Sequence, residues 1–295
     1  MGALKKDIGF QEILIKLCNF WSNFGCTLIP PAQTEISSPL FHPSTFFNMI
    51  GDNNIDFMYF QPHVASMDNK GVRYNMQNYS LLKFQVVLKS EIKMPQKVFL
   101  DSLAFLGLDH RNNDIVFENV VFDNFIFRLN AVGYRVFLNS ASIAKIYYVQ
   151  NIGCCSSEYI PITISYDIDK ILTIMQGCDN IWDVSWNGRS DEDKILYNDV
   201  MFFSEKENYD FIANDSTNEV IFKELENFKD MSINLIENGI ILPAYISILK
   251  AKYCLDILSI RNYMTYNSKM SYNKILRDLV DLCCEKYNKN KNISE

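Results

Sequence analysis

Apolar side chains recur at Phe10, Ile13, Leu14, Leu17, Cys18, Trp21 and Phe24. That three-and-four spacing marks one face of an amphipathic helix and predicts a helix over residues 10–24. Gly25 follows where a left-handed helix end favours glycine. Residues 26–29 read as a short strand, halted by Pro30 and Pro31. The apolar, aromatic and β-branched runs at 57–61 and 81–88 predict two more strands. The polar stretch 62–80 between them is too long for a tight hairpin, and loops of that length are usually functional or disordered. Pro95 at the start and Gly107 past the end bracket a helix over 95–106. Strands are expected at 115–118, 133–138, 143–150 and 161–166. The last runs straight into a helix over 167–176, with Ile168, Ile171, Leu172 and Met175 on one face and Gly177 closing it.

The texture changes at the polar turn cluster Asn187-Gly188-Arg189-Ser190-Asp191. Beyond it the pattern is helical, at 218–237, 243–258 and 271–287. The expectation is an α+β fold: a mainly antiparallel sheet flanked by helices in residues 1–188, followed by a C-terminal helical domain in residues 189–295. The tail from residue 286 is expected to fray. No internal repeat is present.

Composition narrows the function classes. With 295 residues, 48% hydrophobic and 21% charged, the chain is globular in type, which excludes a wholly disordered protein. A net charge of −7 without a dense basic stretch argues against holding nucleic acid by net charge. No signal-peptide core opens the chain and no run of 18 apolar residues occurs, so no membrane partner is expected. Eight cysteines without C-x-x-C spacing, and only three histidines, point to free thiols in a reducing cytoplasm rather than a metal site. Heavy use of Asn, Lys, Ile, Phe and Tyr is what an AT-rich coding sequence yields, so motif residues are open to drift. Gly-rich dinucleotide and phosphate loops, G-x-S-x-G and the zinc-protease helix are all absent.

What remains is an ordered set of segments. Trp21…Gly25-Cys26-Thr27, Glu35, His42-Pro43, Gln61-Pro62, Phe84-Gln85-Val86-Val87, Leu138-Asn139, Ile174-Met175-Gln176-Gly177, Tyr197-Asn198-Asp199-Val200 and Leu242-Pro243-Ala244-Tyr245…Ile248-Leu249-Lys250 stand in this order. In that order and spacing the chain resembles the alpha subunit of bacterial tetrameric, class II glycyl-tRNA synthetase, from residue 10 to about residue 287. The resemblance implies a class II synthetase-like sheet. It also implies a reaction in which glycine and ATP, with Mg2+, give glycyl-adenylate and pyrophosphate before the glycyl group passes to tRNA(Gly). The implied partners are a second alpha subunit and a beta subunit in an alpha2beta2 assembly, with tRNA(Gly) contacted mainly through beta; the implied location is cytoplasmic.

Residue roles follow from the same resemblance. Phe84 matches the aromatic that stacks on adenine, with an ordinary core position as the alternative. Alternation along a strand puts Gln85 on the opposite face, so the two cannot line one pocket. Gln85 is assigned to glycine, as are Gln150 and Ser142. Glu35 and His42 match a region of dimer interface and support.

The chain departs from the family where phosphate is bound. His63, Val64 and Ala65 stand where the family has a serine and two arginines. Lys70 and Arg73 are the remaining cations of that loop, and Asp167-Ile168-Asp169-Lys170 replaces glycine-leucine-glutamate-arginine. Lys170 keeps charge but loses the bidentate fork. The ATP site is therefore assigned to Phe84, Lys70, Arg73, Asp169 and Lys170, with Lys170 and Arg73 as the catalytic cations and no protein-bound metal. Arg135 and Ser142 replace two family glutamates, and Lys145 a glutamine. Arg135 and Lys145 are either further phosphate cations or a solvated strand face. The apolar stripe Ile246, Leu249, Cys254, Leu255 and Leu258 is either a docking face for beta or internal packing. A subunit that keeps the fold without the chemistry is the competing reading.

Overall fold

The computed structural model describes residues 8–50, 55–64, 79–89, 92, 94–154, 160–189 and 192–293, with side chains to residue 289. The order is α1 (Phe10–Phe24), β1 (Thr27–Leu28), α2 (Pro43–Ile50), β2 (Phe57–Val64), β3 (Ser80–Leu88), α3 (Pro95–Leu106), β4 (Ile115–Asn124), β5 (Leu129–Leu138), β6 (Ala141–Asn151) and β7 (Ile162–Asp167). Helices α4 (Ile168–Gln176), α5 (Tyr197–Ala213), α6 (Asn218–Glu237), α7 (Ile241–Ile260) and α8 (Tyr266–Ile293) complete it. The strands form one seven-stranded sheet in the order β1-β2-β3-β7-β6-β5-β4. Only the short β1 pairs in parallel, with β2; every other pairing is antiparallel.

Each face of the sheet buries a separate core. On one face, Phe84, Val86, Leu88, Ile146, Ile164 and Tyr166 pack beneath α1, α3 and α4 through Trp21, Phe99, Leu103 and Ile171. The buried Tyr166 hydroxyl accepts from Trp21 Nε1 at 3.2 Å and lies 2.6 Å from Ser102 Oγ, which fixes both helices to the sheet. Gly25 and Gly177 end α1 and α4 at φ +110° and +63°, a conformation glycine adopts without strain. On the other face, Tyr59, Val87, Ala131, Tyr147 and Val149 meet α2, α7 and α8 through Phe46, Tyr245, Leu249 and Cys283.

The apolar stripe of α7 belongs to this second core. Leu249, Cys254, Leu255 and Leu258 are buried and Ile246 is half-buried, so the stripe is internal packing and not a free docking face. Two helices are not legible in the residue pattern. Helix α2 is buried on nearly every side, so no polar face marks its period. Helix α5 buries only Tyr197 and Glu205, so no apolar stripe marks it either. Strands β4 and β5 run longer than expected, meeting as a hairpin from Ile115↔Leu138 to Asn124↔Leu129. Helix α8 continues to Ile293 through the stretch expected to fray.

Candidate active site

Alternation decides what each strand offers. Along β3, the even positions Leu82, Phe84 and Val86 enter the core under α1, α3 and α4. The odd positions Leu81, Lys83 and Gln85 line a cavity of about 570 Å3 on the opposite face, a size ordinary for small-molecule sites. Lys145 and Tyr147 from β6 and Thr163 and Ser165 from β7 complete its floor. The loop before α2 supplies Glu35, Ser37 and Ser38; the β4–β5 hairpin supplies Phe122, Asp123 and Phe127; and α7 supplies Lys252, Tyr253 and Asp256.

Register turns the floor into a row. Gln85 pairs with Ser165 across β3 and β7, Ser165 with Lys145 across β7 and β6, and Lys145 with Arg135 across β6 and β5. Gln85 is 0% exposed and Ser165 7%, yet Gln85 Oε1 and Ser165 Oγ have no hydrogen-bond partner among the described residues. Buried polar atoms left unmatched by the protein are costly, and at a cavity wall a ligand or water satisfies them. Next to this row, Lys83 is ion-paired with Asp167. Burial, with Lys83 and Arg135 nearby, holds Lys145 below the usual lysine range, although Asp167 acts in the opposite direction.

The residues assigned from the sequence divide sharply. Gln85 and Glu35 line the cavity. Phe84 does not: it is 0% exposed, its ring edge-on to Tyr166 at 6.1 Å in the opposite core, so its place there is that of a core residue. Asp169 is also turned inward. Its Oδ2 accepts the Leu82 N–H at 2.9 Å, pinning β3 to α4, and Asp169 does not line the cavity. Lys170 is exposed on the opposite side of α4 from its buried face and is not among the lining residues. Gln150 is exposed near the end of β6, and Ser142 is half-buried near its start; neither lines the cavity. Lys70 and Arg73 lie outside the described residues. His63, expected on a loop, lies within β2, 1% exposed, and burial beside Lys83 pushes its ring down to about 3. His42 stacks on Tyr59 at 4.1 Å and is lowered to about 4 by burial, which makes it a support. Sequence reasoning missed Leu81, Lys83 and Ser165. The signal for the first two was their alternation with Gln85.

Asp169 carries a pH prediction. Burial raises its carboxyl to about 7, and the Leu82 N–H opposes the shift only in part. Between about pH 4 and 7 the folded chain keeps a proton that the unfolded chain releases, so stability falls as pH rises through that window. Each pH unit is worth at most about 1.4 kcal/mol. Urea midpoints at pH 5 and pH 8 for wild type and Asp169→Asn test this. The variant is expected to gain on wild type at pH 8, and the comparison cancels the opposite contribution of His42 and His63. Parallel midpoints at both pH values would contradict a buried, protonated Asp169.

A cavity over an antiparallel sheet, floored by Lys83 and Lys145 with an unmatched amide oxygen and hydroxyl, has the chemistry of a site for a polar small molecule. The family model of the glycyl-tRNA synthetase alpha subunit matches residues 10–292, and the chain belongs to that family, a family of ligases. It is 27% identical over 284 residues to the glycine–tRNA ligase alpha subunit of Rickettsia bellii (strain OSU 85-389), covering 96% of this chain and 98% of that one. To the same subunit of Rickettsia prowazekii (strain Madrid E) it is 26% identical, with the same coverage. Among solved structures, it is similar to pyrrolysyl-tRNA synthetase from Desulfitobacterium hafniense at TM-score 0.41 and 11% identity, over 61% of this chain and 75% of that one. The aspartyl-tRNA synthetase of Entamoeba histolytica gives TM-score 0.41 and 10% identity, over 60% and 57%.

Proposed function

We propose that this chain activates glycine with ATP and, with a beta subunit, charges tRNA(Gly). A glycine carboxylate oxygen attacks the α-phosphorus, the bond to the bridging oxygen breaks, and pyrophosphate leaves as glycyl-adenylate forms. Charge grows on phosphate oxygens in that step, so fixed cations and donors at the floor act where they matter. Lys83 and Lys145 are the described cations at that floor, and Gln85 and Ser165 orient the acid. The observation that carries this reading is the pair of buried, unmatched polar atoms on Gln85 and Ser165 facing the cavity of a chain in this family. Lys70 and Arg73 remain the proposed phosphate cations of the segment that leaves β2 at Val64, itself a lining residue.

No group of three or more metal-ligating side chains occurs among the described residues, and Asp167 is already bound to Lys83. Mg2+ commonly rides on substrate phosphates with one or two carboxylates. The homodimer, the beta subunit, the tRNA and a cytoplasmic location belong to this proposal, as does the division into a catalytic part, 1–188, and a helical part, 189–295. No helix among the described residues is long and apolar enough to cross a membrane.

Glycine-dependent exchange of pyrophosphate into ATP, measured with the chain and its beta subunit, tests the reading. Exchange is expected above an enzyme-free background, and Gln85→Leu is expected to lower it about tenfold or more. Absence of glycine-dependent exchange would instead support a subunit that keeps the fold without the chemistry, the reading favoured by the exposed position of Lys170.

A further inference from the structure

Lys145 and Arg135 stand directly opposite one another on β6 and β5. Directly paired side chains share one face with Cβ atoms about 5 Å apart, and like charges so placed destabilise a sheet. Both are half-buried, and neither forms an ion pair with a described residue. The nearby Asp167 is taken by Lys83. Glu118 follows Arg135 in register on the edge strand β4, but it is exposed and makes no ion pair with a described residue. The other lining carboxylates lie elsewhere: Asp256 is bound to Lys252, and Glu35 and Asp123 come from the loop before α2 and the β4–β5 hairpin. The sheet thus holds two adjoining cations with no ion-pair partner among the described residues, and continues the row with Ser165 and Gln85, whose unmatched atoms face the same cavity. The Ser165 hydroxyl can donate to an incoming oxygen, whereas the Gln85 NH2 already donates to the Val86 carbonyl and leaves only its acceptor oxygen unmatched.

We propose that this end of the cavity is an oxyanion subsite, in which Lys145, backed by Arg135 and joined by the Ser165 hydroxyl, binds a phosphate or carboxylate group in preference to an ammonium. The inference rests on the reading that this cavity receives substrate, and sharpens it: the acid is held by its carboxylate or the nucleotide by a phosphate, while an α-ammonium finds no carboxylate on this row. Lowering of the Lys145 pKa by burial and by its cationic neighbours agrees with a group that gains from an incoming anion. Two sources share this chemistry, a phosphate of the nucleotide or pyrophosphate and the carboxylate of the acid, and separate ligands tell them apart.

Calorimetric titration of the full chain with pyrophosphate, inorganic phosphate, glycolate and ethylammonium tests the subsite. Pyrophosphate or glycolate is expected to bind the wild type, the tighter of the two naming the source, and ethylammonium is expected not to bind. Lys145→Met is expected to weaken the anion about ten- to a hundredfold, the worth of one charge-assisted hydrogen bond. It removes a half-buried unpaired charge without leaving a partner behind, so its unliganded melting temperature is expected to hold or rise. Arg135→Gln gives an independent reading, with a smaller loss. Anion binding that is absent in wild type, or unchanged in both variants, overturns the inference, as does ethylammonium binding tighter than glycolate. Intact anion binding without glycine-dependent exchange would sink the ligase reading alone, whereas exchange with binding indifferent to both substitutions would sink the subsite alone.

Discussion

Phe84→Ala is expected to lower the unfolding free energy by about 3–5 kcal/mol, the usual cost of emptying a buried aromatic site. The ring is 0% exposed and closed in by Tyr166 and by the α1, α3 and α4 side of the sheet, so the space it leaves cannot be filled by solvent. A loss of that size is a large share of the stability of a typical domain. Phe84→Leu keeps most of the volume and separates packing from recognition. It is expected to leave ATP affinity within about twofold of wild type, because Phe84 does not line the cavity. Leu81→Ala is the reverse case: Leu81 is half-buried at the cavity wall, so its truncation is expected to weaken nucleotide binding more than it weakens the fold. Urea unfolding alongside ATP titration of the three variants decides the matter. A Phe84→Leu protein of normal stability with lost ATP affinity would return Phe84 to the adenine site.

The second large effect lies at Lys83. Its ammonium is ion-paired with Asp167, with side-chain exposures of 12% and 22%, and it lines the floor next to Gln85. Lys83→Met acts twice: it removes a cation from the cavity and leaves the Asp167 carboxylate bare near the same floor. Breaking one partner of a poorly solvated pair is costlier than the pair's net worth, because the survivor stays desolvated. ATP affinity is expected to fall about ten- to a hundredfold. Lys83→Met with Asp167→Asn is expected to recover much of that loss, and Asp167→Asn alone to tighten ATP by freeing the lysine for phosphate. A double-mutant cycle on ATP affinity measures the coupling. Additive losses, without rescue in the double variant, would show that the pair does not control the cavity.

Residue by residue, legibility followed burial geometry. Helices α1, α3 and α4 could be read from sequence because each buries one stripe and ends at a glycine, so period and stop signal agree. Helices α2 and α5 could not, one being apolar on nearly every side and the other on almost none. At the cavity, the placement of Gln85 and Phe84 on opposite faces of β3 was legible. Which of the two faces held the cavity was not legible, since alternation is symmetric: it is broken only by which helices lie on each side. Lys70 and Arg73 lie outside the described residues and stay within the proposal.

The sequence by itself determined the family, through segments kept in order across almost the whole chain. The tertiary structure decided what now stands at the site. Pairing of β3, β7, β6 and β5 aligns Gln85, Ser165, Lys145 and Arg135, residues up to 80 positions apart, into one row. Packing of α1, α3 and α4 on one face sends Phe84 into a core and leaves the odd positions of β3 to the cavity. A one-dimensional pattern specifies which side chains share a face; only the register and the covering helices specify which strands that face joins and whether it is filled or left open.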